Sequence, residues 1–104
     1  MALSETEIQG KLRSVPGWER VKKTIQKRFT FDNFKQALVF VNQVGELAET
    51  ADHHPDITVN YNKVTLSLST HSAGGLTDKD FDLAGHIEKI GKAEQTESKE
   101  AKSL

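Results

Sequence analysis

The chain is predicted to form a single α+β domain: an antiparallel four-stranded sheet with about three helices packed on one face. Three observations point there. Apolar residues recur at helical spacing in one long segment and a last shorter one, and a capping-box pair opens a short first helix. Two pairs of short strand-like runs lie between them, each pair close enough for a hairpin. The order helix, two strands, long helix, two strands, helix sets antiparallel hairpins beside helices rather than building a parallel sheet. With 104 residues there is material for one core. A functional site must then lie in a surface cleft or at a subunit interface.

The segment "LSETEIQGKL" predicts a short first helix, because Ser4 and Glu7 have capping-box spacing. "VPGW" breaks it. "WERVKKTIQKRFTF" predicts two strands meeting near Lys22 and Lys23, with Ile25, Phe29 and Phe31 on one face and Lys27 interrupting it. "FDNFKQALVFVNQVGELAETAD" predicts the long helix. Phe34, Leu38, Val41, Gly45 and Ala48 share one stripe, which Phe40, Val44, Leu47 and Ala51 widen. It ends at "HHP", since Pro55 disfavours helical geometry at His54. Ile57, Val59 and Tyr61 alternate in the third strand, which puts Tyr61 on its core face. Val64, Leu66 and Leu68 alternate in the fourth, and Asn62-Lys63 fits the tight turn between them. After the flexible "SAGG", Thr77 opens a last helix carrying Phe81, Ala84, Ile87 and Ile90 on one side. We expect the domain to span residues 1–91. The polar stretch 92–104 has no apolar period and is expected to be disordered.

Composition narrows the function classes. The formal net charge of -1 argues against a strongly nucleic-acid-binding or membrane-surface protein. The basic cluster Arg20, Lys22, Lys23, Lys27 and Arg28 has only Phe29 interleaved, so a solvated strand face is the better reading. There are no cysteines, which removes disulfides, thiolate metal sites and a cysteine nucleophile. No stretch has the apolar core of a signal peptide or the length of a spanning helix, so we expect a soluble intracellular protein. Phosphate-cradling glycine loops, dinucleotide fingerprints and G-x-S-x-G are missing from the sequence.

Three of the four histidines crowd into residues 49–80: the adjacent His53 and His54, and His71. Glu49 stands four residues before His53 and would share its helix face. A carboxylate beside an imidazole orients it and favours its protonated form, as a proton-transfer group requires. The same spacing also fits a cation at a helix C-terminus, so both readings stand. Pro55 fixes the exit angle of His54. His71 alternates onto the face opposite Val64, Leu66 and Leu68, as a surface histidine or as a third member of the cluster. Asp80, three residues after Thr77, has capping spacing. Trp18 reads as a partly buried strand start whose indole could also stack on a flat heterocycle. His53, His54, His71 and Asp52 offer metal donors, but H-x-x-x-H spacing is missing and adjacent histidines at a helix end need not converge.

Taken in order, "GW", "FDNF", "ADHHPDI", "NYNKV", "L-x-THSAGGLT-x-KD" and "DLAGHI" resemble the pterin-4a-carbinolamine dehydratase family from about Trp18 to Ile90. The ordered set is specific where each fragment is weak. The resemblance implies a hydro-lyase that dehydrates 4a-hydroxytetrahydrobiopterin to quinonoid dihydropterin during tetrahydrobiopterin recycling, with no metal or organic cofactor. It matches His53 and His71 to the acid–base histidines. It matches His54, Pro55, Thr70, Ser72, Ala73 and Trp18 to substrate contacts, with Glu49 and Asp80 as supporting carboxylates. It implies a homodimer or homotetramer, an aromatic amino acid hydroxylase as pathway neighbour, and a cytoplasmic setting. A nuclear one is implied for members that act as a dimerisation cofactor of a transcription factor. That non-catalytic binding role is the alternative reading here. Two positions depart from the family: Ile57 stands where many members have an aromatic residue, and Ala73 where animal members often have cysteine.

Overall fold

The computed structural model describes the backbone of residues 2–103 and the side chains of residues 2–91; the tail expected over 92–104 falls outside the residues described in full. The elements run α1 (Glu5–Leu12), β1 (Glu19–Val21), β2 (Thr24–Thr30), α2 (Phe34–Ala51), β3 (Asp56–Asn60), β4 (Lys63–Leu68), a 3-10 turn at His71–Ala73 and α3 (Asp78–Ser103). The four strands form one antiparallel sheet in the order β1-β2-β4-β3, so β1 and β3 are its edges. This is the expected α+β architecture.

The core is one cluster between the sheet and the helices. Ile25 and Phe29 from β2 and Val64, Leu66 and Leu68 from β4 meet Ala37, Phe40 and Val44 from α2, with Phe81, Ala84 and Ile87 from α3 and Ile8 from α1. Phe40 stacks at a tilt on both Phe29 and Phe31, with ring centroids 4.8 and 4.9 Å apart. Lys27, the residue that interrupted the apolar face of β2, is accommodated by charge. Its ammonium meets both carboxylate oxygens of Glu88 on α3 at 2.8 Å and lies over the Phe29 ring.

Three expectations are corrected. First, the buried stripe of α2 is Ala37, Phe40, Val44 and Ala48, while Phe34 and Leu38 point outward, 47% and 39% exposed. Both stripes have helical spacing, and only the position of the sheet chooses between them. Second, the β3–β4 turn is Tyr61-Asn62, because Asn60 pairs with Lys63. Tyr61 sits in left-handed backbone at φ 55 and is 63% exposed, not on the core face. Third, Ile57 and Val59 are also more than a third exposed, since β3 is an edge strand that no helix covers fully.

Candidate active site

α2 stops because Asp52 enters left-handed backbone (φ 51). The His53 amide then returns to the Ala48 carbonyl at 3.0 Å, a Schellman-type closure. This reversal swings His53 off the helix face that Glu49 occupies. The expected Glu49–His53 pair therefore does not form. His54 takes Glu49 instead, Nε2 to Oε2 at 2.6 Å, on the exposed surface. His53 turns inward and its Nε2 meets Asp80 Oδ1 at 2.6 Å.

Asp80 is completely buried, yet its carboxylate is well supplied with donors. Oδ2 accepts the Thr70 hydroxyl at 2.9 Å and the Thr77 amide at 2.9 Å. Half of the expected Thr77–Asp80 reciprocal cap is thus present. The Thr77 hydroxyl goes elsewhere, to Thr70 Oγ1 at 2.8 Å. An ionised carboxylate only accepts, so toward ionised Asp80 the His53 Nε2–H is the donor, and Nδ1 is the ring nitrogen left for other partners.

Thr70 ties the second histidine segment to the first. It ends the run after β4, pairs with Gly75 and accepts from the Ala73 amide at 3.0 Å, closing the loop that carries His71. His71 and Ser72 are exposed at the head of this turn and Ala73 is half-buried. Gly74 (φ 71) allows the turn to reverse. The Thr70 side chain is buried and committed to Asp80. It serves as a brace between the two segments rather than as an exposed contact.

The predicted group is therefore gathered in part. Asp80 joins His53, Thr70 and Thr77 directly, and the chain carries His71 beside Thr70. His53 lines a hollow of about 300 Å³ between α2 and α3, with Leu47 and Ala51 facing Lys79, Asp82, Leu83 and His86. His54 and Pro55 instead line an open groove between α2 and β3, together with Glu49 and Ile57. Trp18 stands apart. It is 5% exposed, packs edge-on against Phe29, and its indole N–H donates to Glu88 at 3.3 Å. Its entry into β1 lies three strand spacings from β3, roughly 14 Å. One residue of the hollow, His86, has no role among the expectations from sequence. His86 donates from Nδ1 to the Asp82 carbonyl at 2.8 Å and shares the hollow with His53. Its spacing from Lys79, Asp82 and Leu83 was the available signal. Thr77 is the expected capping partner of Asp80; the bond of its hydroxyl to Thr70 is what that spacing does not show.

Fold and site define a class: a small α+β protein with an imidazole anchored on a buried carboxylate, the equipment of an acid–base site. The comparisons with known proteins are specific. Residues 1–90 match the family model described as pterin 4 alpha carbinolamine dehydratase, and the chain belongs to that family. A relative from Picosynechococcus sp., named "Putative pterin-4-alpha-carbinolamine dehydratase", is 57% identical over 88 residues, covering 85% of this chain and 96% of its own. One of the same name from Sulfolobus acidocaldarius is 47% identical over 90 residues, 86% of this chain and 99% of that one. Among solved structures, a transcriptional coactivator/pterin dehydratase from Brucella melitensis superposes with a TM-score of 0.84 at 35% identity, over 88% of this chain and 99% of its own. A pterin dehydratase-like protein described as a RuBisCO assembly factor in the alpha-carboxysome shares the fold, with a TM-score of 0.63 at 21% identity over 75% of this chain and 93% of its own.

Proposed function

We propose that this protein dehydrates a 4a-hydroxytetrahydropterin to the quinonoid dihydropterin by histidine acid–base catalysis, the step that returns the pterin for tetrahydrobiopterin recycling. Family membership supplies the reaction class. The observation that carries the reading is the Asp80 carboxylate, which anchors His53 and, through Thr70, braces the loop of His71. In the reaction the bond from C4a to the hydroxyl oxygen breaks. The electron pair of the N5–H bond becomes the C4a–N5 double bond. One imidazole takes the N5 proton and the other delivers a proton to the departing oxygen, so the products are the quinonoid pterin and water. Groups that titrate near neutral pH suit both tasks, and each transfer is worth typically about 10²–10⁴-fold. His54 and Pro55 would contact the substrate beside His53, with Ser72 and Ala73 on the other segment and Glu49 holding His54.

Self-association is part of the reading. Phe34, Leu38 and Val39 on α2 and Ile57 and Val59 on β3 leave an apolar surface facing outward, and a second copy is its natural cover. The same surface favours the alternative, a binding or dimerisation protein that needs no catalysis. The rate of dehydration of enzymatically generated 4a-hydroxytetrahydropterin, followed by ultraviolet absorbance, separates the two. The wild type is expected to accelerate it. His53→Ala and His71→Ala are each expected to lose about 10²-fold or more while staying folded. A folded wild type without acceleration leaves the binding reading.

A further inference from the structure

We propose that Thr77 is a positioning residue of this acid–base site, acting on His53 through Thr70 and Asp80; the inference rests on the dehydratase reading above. The geometry fixes the direction of the chain. Asp80 is buried and, when ionised, only accepts. Thr70 has a single hydroxyl hydrogen and its oxygen lies 2.9 Å from Asp80 Oδ2, so that hydrogen goes to Asp80. The 2.8 Å contact between the threonine hydroxyls must then have Thr77 donating and Thr70 accepting. Thr77 thus orients the Thr70 hydroxyl toward the carboxylate, while its own amide donates to the same Oδ2.

Hydrogen bonds in series polarise one another, so a donor two bonds away changes how strongly Asp80 accepts from His53. Thr77 also begins the connection into α3. One residue therefore sets the start of α3, the loop bearing His71 and the hydrogen bond of His53. Other charged or titratable groups lie near His53: Lys79, Asp82 and His86 across the shared hollow, and the Glu49–His54 pair beside it. None of them bonds the Thr77 hydroxyl, whose partner is Thr70, so the serine variant, which keeps that hydroxyl, separates the threonine chain from a shift of α3.

The test compares wild type, Thr77→Val and Thr77→Ser. Valine keeps the shape and removes only the hydroxyl. It is expected to lower kcat about two- to tenfold, the worth of one neutral hydrogen bond, with KM little changed. Serine is expected to restore the rate. A readout free of substrate is the low-field proton resonance of His53 Nε2–H, which Thr77→Val should shift and Thr77→Ser should not. A Thr77→Val protein with wild-type kcat and an unshifted resonance overturns the proposal. So does a Thr77→Ser protein as impaired as the valine variant, since that assigns the loss to packing. Should Thr77→Val fail to fold, Thr70→Val breaks the chain one bond nearer Asp80 and must shift the same resonance. A wild type inactive as a dehydratase overturns the functional reading alone, and the resonance still decides whether Thr77 acts on His53.

Discussion

Residue by residue, the two carboxylates beside the adjacent histidines differ in kind. Asp80 is fully buried with three donors, whereas Glu49 is an exposed partner of His54. Asp80→Asn keeps the shape but turns an acceptor into a group whose amide must face other donors. It is expected to cost about 1–3 kcal/mol in stability and on the order of 10²-fold in rate. Glu49→Gln is expected to change stability by less than about 0.5 kcal/mol and the rate by far less than Asp80→Asn. Urea denaturation with the dehydration assay on both variants checks the contrast. Trp18 yields a different expectation from the one its family position implies. Its ring lies against Phe29 and its N–H on Glu88. Trp18→Phe is therefore expected to lower stability by about 0.5–1.5 kcal/mol while leaving kcat unchanged. A large rise in KM with intact stability would return the indole to the substrate.

At the scale of elements, α1 supports the site from outside it. The Leu3 amide donates to the Leu76 carbonyl at 2.7 Å and Lys11 pairs with Asp78 at 2.8 Å, so α1 leans on the segment joining the His71 loop to α3. Its start is a complete capping box between Ser4 and Glu7. The Ser4 amide and hydroxyl hold the Glu7 carboxyl below its ordinary value of 4.5, and the Asp78 hydrogen bond raises Lys11 above 10.5. The signs follow by linkage. The Glu7 contribution is present above its ordinary value and is lost as pH falls through the lowered folded one. The Lys11 contribution is present below 10.5 and is lost as pH rises through the raised folded value. Glu7→Gln is thus expected to melt below wild type at pH 7, with the gap closing as pH drops below about 4. Thermal melts at stepped pH measure it, and a gap constant down to pH 2 would contradict the assignment.

For the whole molecule, the dominant fact is a sheet buried on one side by helices while one edge strand and one helix stripe stay uncovered. Phe34, Leu38 and Val39 on α2 and Ile57 and Val59 on β3 are each more than a third exposed. Water contact for that many large apolar groups is unfavourable, by roughly 25 cal/mol per Å² of what a partner could cover. On the self-association proposed above, Leu38→Arg on the outer stripe is expected to lower the sedimentation coefficient while its far-ultraviolet circular dichroism stays that of the wild type. An unchanged sedimentation coefficient would count against self-association through α2. Among the described residues no helix is long and apolar enough to cross a membrane.

The element order, the capping box of α1, the end of α2 at the histidine pair and the family are all legible from the residues in order. These rest on local rules: side-chain periodicity, a cap's own hydrogen bonds, and an ordered set of motifs. Tertiary structure decided which apolar stripe of α2 is buried, since both have helical spacing and only the sheet breaks the tie. It decided that Tyr61 belongs to a turn, because strand register is set by pairing with β4. It also decided which carboxylate each histidine takes. Spacing paired Glu49 with His53, but a single left-handed residue at Asp52 rotated the chain and exchanged the partners. The bond between His53 and Asp80 joins residues 27 apart, and that between Thr70 and Asp80 joins residues 10 apart. Periodicity within an element carries no information on contacts between segments that meet only when the sheet and helices close.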